Sequence, residues 1–484
     1  MKAINLGSAN VLSTVLKLII PATIAQFINV LYSIVDRMYV GNIGGVMVIN
    51  GAEEKIGEIA LAAVGVCSPI TIIISSFAFL VGTGGAPLFA MALGEGREDN
   101  AKKILSNAAV SLAFISLVVA ALFIALHKPL LYAFGASDKT YEFARQYLMI
   151  YAAGAIFSIP GTGLNQYITA QGYSGIAMIS TVIGAAANIA LDPLFIYVFG
   201  LNVAGAATAT IISQLFTFIF VVTFLRLKST KIRLSLCRPE LRIIGNIAKL
   251  GVSPFIIMAS DGLIIIIQNA VLQRMGGPAE GDMWITVATV VQAFFSLVST
   301  PLLGISEGSQ PVLSYAYGAK NEKLIKRAEV RILISCLVFT TAMTVISIFC
   351  AQPFAGLFIP ENPAVAEKAV WGIRIFMIGA IPMSFQYAFV DCFTALGQPK
   401  YAITLSLIRK VVFFMGSIIV LPMIWGAEAV FYAEPVADIA GAVLSSAVFL
   451  IVFPKVIRRR MSGEDCLKKR SFAHRRSGSS NGAE

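Results

Sequence analysis

Runs of about 20 apolar residues with almost no charge recur along the chain, for example over 104–126, 203–225 and 328–350. A run of that length crosses the ~30 Å hydrocarbon core of a bilayer as a helix. Backbone N–H and C=O groups cannot stay unpaired in lipid, which leaves helices or a closed barrel. The runs are continuous rather than alternating, so they select helices. Composition agrees: 57% of the 484 residues are hydrophobic and 13% charged, about half the charge of a water-soluble protein. An ordinary soluble enzyme is excluded.

Twelve helices are expected, at 13–41, 60–92, 104–126, 144–170, 176–199, 203–227, 247–274, 284–317, 328–350, 368–396, 400–424 and 430–454. Proline lacks the N–H that closes the helical ladder, so kinks are expected at Pro21, Pro69, Pro254, Pro301 and Pro382. The formal charge of +11 suggests nucleic acid until its distribution is read. Basic residues gather in alternate connections: Arg97, Lys102 and Lys103; the stretch from Arg226 to Arg242; Lys320 to Arg327; and the tail from Arg458. The intervening loops are acidic or mixed, with Glu53, Glu54 and Glu58, then Glu280 and Asp282, then Glu361 and Glu367. Twelve spans with both termini in the cytoplasm satisfy that pattern, and the bilayer, not nucleic acid, is the partner of the charge. The first apolar segment has no small-residue cleavage site after it and is read as retained.

Six scattered cysteines without a CxxC pair suggest neither disulfides nor zinc. The two histidines, His127 and His474, lie outside the spans, which excludes histidine chemistry inside the membrane. No cofactor is expected, and a monomer is.

Internal repetition organises the chain. Pro87-Leu-Phe-Ala-Met-Ala-Leu-Gly94 recurs as Pro311-Val-Leu-Ser-Tyr-Ala-Tyr-Gly318, each followed by a basic loop. Lys128-Pro129…Phe134 answers Gln352-Pro353…Phe358, and Gly154-Ala-Ile156 answers Gly379-Ala-Ile381. Thr169-Ala-Gln-Gly172 matches Thr394-Ala-Leu-Gly397, and Pro21…Gly44-Gly45 matches Pro254…Gly276-Gly277. Six helices is an even number, so both units share one orientation. The expected organisation is an N-terminal bundle over 1–227, a basic linker over 228–246, a C-terminal bundle over 247–455, and a basic, disordered tail over 456–484. Substrate is expected between the halves, near the bilayer midplane.

With these repeats in place, the sequence resembles the multidrug and toxic compound extrusion (MATE) family over about residues 10–455. The resemblance rests on Gln26…Asp36-Arg-Met-Tyr-Val-Gly41, Ala60-Leu-Ala-Ala-Val-Gly65, Asn188-Ile-Ala-Leu-Asp192-Pro193 and Val203-Ala-Gly-Ala-Ala-Thr-Ala-Thr210. Gln310-Pro311…Tyr317-Gly318-Ala319 and Glu434-Pro-Val-Ala-Asp438 extend it into the second half. It is nearest the bacterial branch typified by staphylococcal multidrug exporters. The resemblance implies an all-α, V-shaped pair of six-helix bundles and secondary antiport, in which amphipathic organic cations leave as Na⁺ or H⁺ enters. In several bacterial members an N-half cation site uses residues matching Asp36, Asn188, Asp192 and Thr210. In one sodium-coupled branch a carboxylate pair on the seventh and tenth helices acts in the C-half. Here Asp261 lies near the first of these and Asp391 is displaced from the second, a departure that weakens a C-half ion site.

Charge inside the membrane costs several kcal/mol unless it meets a partner, water or an ion. Asp36 is functional on this ground, the alternative being a local pair with Arg37. Asn188 and Asp192, four apart, share one helical face. Their hard oxygens suit Na⁺ or a shared proton, the alternative being helix–helix hydrogen bonding and a cap before Pro193. Thr210 alone says little, because threonine in a membrane helix usually bonds its own backbone. Repulsion between the two carboxylates is relieved by H⁺ or Na⁺, and emptying the site is expected to bend the first helix at Pro21. Glu307, Asp261, Asp391 and Gln26 are substrate-contact candidates. The three carboxylates either attract a cationic drug or pair with Arg374 or Arg409. Arg409-Lys410 is expected to snorkel to the cytoplasmic interface, and Glu434…Asp438 to lie at the solvated outer mouth. Phe157, Tyr167, Met258, Phe294, Tyr387 and Met415 are either lining for flat cations or packing residues. The rival readings are a flippase of lipid-linked sugars, disfavoured by the excess of carboxylates, and a membrane enzyme, which lacks a catalytic set.

Overall fold

The computed structural model describes residues 3–49, 52–228, 230–235, 237–359 and 362–462, without the side chains of residues 48, 49, 52–54, 58, 278, 279 and 282. The acidic side chains of Glu53, Glu54, Glu58, Asp282 and Glu361 therefore lie outside the described residues, as do Cys466, His474 and the tail from residue 463.

Among the described residues eleven helices are long and apolar enough to cross a membrane, and one bent pair supplies a twelfth. The first half contains α1 (Val11–Gly41), α2 (Ile56–Gly94), α3 (Glu98–Ala125), α4 (Asp138–Ala170), α5 (Ser174–Val198) and α6 (Asn202–Arg226). The second contains α7 (Leu241–Gly277), α8 (Met283–Gly318), α9 (Glu322–Phe358), α10 (Pro363–Ile378 with Ala380–Ala395, bent by 44°), α11 (Pro399–Trp425) and α12 (Ala427–Ser462). The chain is an integral membrane protein, helical almost throughout.

The helices outrun the apolar runs because polar residues cap them beyond the hydrocarbon. α9 starts at Glu322 rather than 328, on an Asn321 side chain that accepts from the Leu324 N–H at 3.0 Å. α4 starts at Asp138 on a Ser137–Thr140 capping box. At the other end, α12 continues helical to Ser462, through residues expected in a disordered tail. Val456 and Ile457 are buried in the core, and Arg460 donates to the Tyr317 carbonyl (3.1 Å) and to Glu95. The first loop departs from the all-helical expectation: β1 (Val46–Ile49) and β2 (Ala52–Lys55) pair antiparallel, Val46 opposite Lys55. The intervening Asn50-Gly51 is a hairpin signal in the sequence.

α1 and α2 run through Pro21 and Pro69 as continuous helices. Pro21 owes the Lys17 carbonyl an N–H that it lacks, and the Ser174 hydroxyl, at the start of α5, donates to that carbonyl at 3.0 Å. The break in α10 falls at Gly379 rather than Pro382, where α12 passes so close that a Cβ would sit 2.7 Å from Asp438 Oδ2.

Two apolar cores follow the two halves, with one exchange. Val11, Val15, Leu18 and Ile19 of α1 pack in the C-half core, and Ile247 of α7 packs in the N-half core. The repeat reappears as geometry: Gly172 and Gly397 both end their helices at positive φ, 87° and 67°, a conformation that favours glycine. At the basic ends of α2 and α8 a Cβ on Gly94 would overlap the Tyr315 carbonyl, and one on Gly318 that of Met91. The two halves thus touch there through a twofold-like exchange of equivalent residues. The linker is also seated: Ile232 N–H donates to Gln171 Oε1 (3.0 Å), Cys237 N–H to Ser106 Oγ (2.7 Å) and Glu240 N–H to Asn107 Oδ1 (2.6 Å).

Candidate functional site

Three helices bring the expected N-half residues together. Asn188 and Asp192, one turn apart on α5, are 2% and 0% exposed. Asn188 Nδ2 donates to Asp192 Oδ1 at 3.1 Å and reaches Thr210 Oγ1 of α6 at 3.4 Å. The Thr210 hydroxyl spends its proton on the Ala206 carbonyl (3.0 Å), so only lone pairs face Asn188. Asp36 of α1 places its carboxyl against that of Asp192, within hydrogen-bonding reach. Its neighbour Arg37 turns to Ser68 (3.5 Å), so the pairing partner is the second acid rather than the adjacent base. After these bonds, Asp36 Oδ1, Asp192 Oδ2 and Asn188 Oδ1 remain as buried acceptors without a donor. Buried polar atoms are ordinarily satisfied, and three unmet acceptors at one place invite a proton or a small cation. No group of three or more His, Cys, Asp or Glu that could hold a metal ion occurs among the described residues.

Beside this site lies a cavity of about 410 Å³, within the range that holds a drug-sized molecule. Asn188 and Thr210 form part of its wall, and Gln26, which accepts from Asn29 Nδ2 at 3.1 Å, lines it from α1. Tyr32, Tyr151 and Gln214 also line it, none of them expected there from the sequence. The four-residue spacing of Tyr147 and Tyr151, whose rings stack 6.1 Å apart, was the available signal. Glu307 reaches the cavity from α8 of the other half.

Glu307 also lines a smaller C-half cavity of about 90 Å³ with Asp261, Asp391, Tyr387, Arg409 and Lys410. Most charges there are already matched. Arg409 donates to Asp438 and Glu434, each at 3.0 Å, Lys410 holds Asp261, and Ser306 donates to Asp391. Arg409, Glu434 and Asp438 are 6%, 5% and 0% exposed. The expectations of a snorkelling Arg409-Lys410 and a solvated Glu434…Asp438 are therefore corrected. A buried charge needs an opposite charge more than it needs proximity to water, and here α11 and α12 supply each other. A π-helical stretch over Ile408–Met415 accompanies the turn that sends Arg409 to α12 and Lys410 to α7. Arg374 is exposed on α10, away from this network. Glu329 of α9, overlooked in the sequence, is buried beside Cys392. Met258 lines both cavities and Tyr387 the smaller one. Tyr167, Phe157 and Phe294 pack instead, against Phe89, Phe218 and Phe354, and Met415 packs against a small C-half core cluster.

Two repeated six-helix halves around a cavity of mixed polar and apolar lining define a multi-pass membrane protein of the transporter class. The chain belongs to the MatE family, whose model matches residues 21–194 and 261–419. It is 23% identical over 448 residues to the multidrug export protein MepA of Staphylococcus saprophyticus, covering 92% of this chain and 93% of that one. MepA of Staphylococcus aureus is 22% identical over 449 residues, with the same coverage. Among solved structures, an outward-facing multidrug resistance MATE family transporter superposes with a TM-score of 0.84 at 22% identity, covering 96% of this chain and 98% of that one. A superfamily transporter from Pyrococcus furiosus, described by the reversed polarity of its binding pocket, fits with the same score, identity and coverage.

Proposed function

We propose that this protein is a secondary antiporter that exports amphipathic organic cations from a bacterial cell, driven by inward H⁺ or Na⁺, as a monomer in the inner membrane with both termini cytoplasmic. The observation that carries the reading is the trio of unmet acceptors on Asp36, Asp192 and Asn188 beside a substrate-sized cavity. Two carboxyls in contact away from water repel unless a proton or metal cation lies between them. Filling the site lets α1 and α5 approach, and emptying it drives them apart. α1 is the element that responds, with Pro21 as its weak point and Gln26 as its face on the cavity.

The polarity of the cavity has to be judged in each family member, and here it favours positive substrates. Glu307 lines it and Asp192 stands behind its Asn188 wall, whereas Arg409 and Lys410 are neutralised by Glu434, Asp438 and Asp261. That balance is unsuited to the diphosphate of a lipid-linked sugar. Glu307, which reaches both cavities, is assigned to the cation, with Gln26 beside it; Asp261 and Asp391 are ranked behind.

Reconstituted vesicles loaded with a fluorescent organic cation, with pH and Na⁺ gradients imposed separately, test the reading. Wild type is expected to move the dye under one gradient, and Asp36→Asn and Asp192→Asn under neither. Glu307→Gln is expected to raise the apparent KM for the dye while preserving ion movement. Normal dye transport by either Asp variant would remove the ion-site assignment.

A further inference from the structure

The repeat makes a second comparison possible at the basic face. In the N-half, Lys103, Ser106 and Asn107 of α3 hold the linker: Lys103 pairs with the Glu240 carboxylate at 2.9 Å, and Ser106 and Asn107 accept from linker N–H groups. The repeat carries these positions onto Arg327, Val330 and Arg331 of α9. No linker covers them. They line an open groove of about 830 Å³ whose other wall is the start of α1. Lys326 is engaged by Glu322 at 2.6 Å, but neither Arg327 nor Arg331 has an acidic partner among the described residues. Four apart on one helix, the two arginines repel each other, a cost that an anion between them would reverse. Their N-half counterparts are one cation and one amide, and these already hold a carboxylate.

The groove does not stop at the charged end. Through Asn10 and Leu12 it continues into a second furrow of about 530 Å³, lined by Leu12, Leu16, Ile20 and Lys17. Leu12, Ile20 and Val330 are 42%, 52% and 55% exposed. A cationic pair at the membrane boundary, opening onto an apolar furrow along a spanning helix, matches a phosphate with an acyl chain rather than a free ion.

We propose that the groove between α1 and α9 seats an anionic phospholipid, its phosphate on Arg327 and Arg331 and its chain along Leu12, Leu16 and Ile20. Placement of that lipid in the cytoplasmic leaflet rests on the orientation assigned under the proposed function; the binding itself does not. An occupant here would bear on the first turns of α1.

Native mass spectrometry of the detergent-solubilised protein titrated with phosphatidylglycerol reads the binding without reference to efflux. Each basic contact is worth about 1 kcal/mol at a membrane surface, so Arg327→Gln with Arg331→Gln is expected to weaken binding roughly thirty-fold. Lys323→Gln with Arg458→Gln removes the same charge from exposed positions off the groove and is expected to change binding less than about threefold. Glycerophosphate, which has the headgroup phosphate without chains, is expected not to compete. An unchanged affinity in the double-arginine variant, an equal loss in the control, or displacement by glycerophosphate would each overturn the proposal.

Discussion

The two halves share one repeat, yet one cluster of buried carboxylates in each is matched in an opposite way. In the N-half, Asp36 and Asp192 face each other among phenols and amides, with acceptors left over. In the C-half, Glu434 and Asp438 close on Arg409, and Asp261 closes on Lys410. On the proposed function, the first arrangement is completed by an arriving positive species. The second carries its own positive charge, and so contributes structure where the first is proposed to contribute a binding event. Pseudo-symmetry of fold therefore does not extend to the charge pairing of these two clusters.

Substitutions at the two clusters sharpen or break this contrast, and two elsewhere probe the packing that frames them. The largest effect is expected from Asp36→Asn or Asp192→Asn, which should abolish gradient-driven dye export in whole cells while leaving the unfolding midpoint unchanged or higher, because repulsion is removed. A midpoint that falls sharply in either variant would mean these acids are structural, and the contrast would fail. Next, Arg409→Gln strands two buried carboxylates and should destabilise the protein by about 3–5 kcal/mol in denaturant unfolding. Replacing all three charges together, as Arg409→Met with Glu434→Gln and Asp438→Asn, should recover most of that loss. Gly318→Leu forces the ends of α2 and α8 apart and should cost about 1–3 kcal/mol, seen as faster hydrogen exchange over residues 88–97. The smallest effect is expected from Ser174→Ala. It leaves the proline-freed Lys17 carbonyl without its donor, and a loss of about 1 kcal/mol should appear in the same unfolding assay.

Much of this was legible in the sequence. Apolar runs gave the twelve spans, and repeats such as Pro87…Gly94 with Pro311…Gly318 gave the two halves, because both signals are local or periodic. The quartet of Asp36, Asn188, Asp192 and Thr210 was legible through family resemblance and the one-turn spacing on α5, and the structure brings the four together. The destination of Arg409 was not legible: two adjacent bases near a span end read as interfacial until α12 is known to pass beside them. Helical residues beyond 455 were missed for a related reason, since hydropathy falls where Arg458, Arg459 and Arg460 begin while helix and packing continue. The hairpin of β1 and β2 left a short-range signal, Asn50-Gly51, too brief to register among long apolar helices.

The exchange of first turns between the cores has a mechanical consequence. α1 is rooted in one bundle through Val15 and Leu18 and presents Asp36 to the other, and α7 crosses in the reverse sense from Ile247. Like two crossed tie-rods, each with a proline between root and working end, they would have to flex whenever the bundles swing. On the proposed function, a cation settling on Asp36 would pull on a lever whose fulcrum is Pro21 and whose anchorage is in the opposite half.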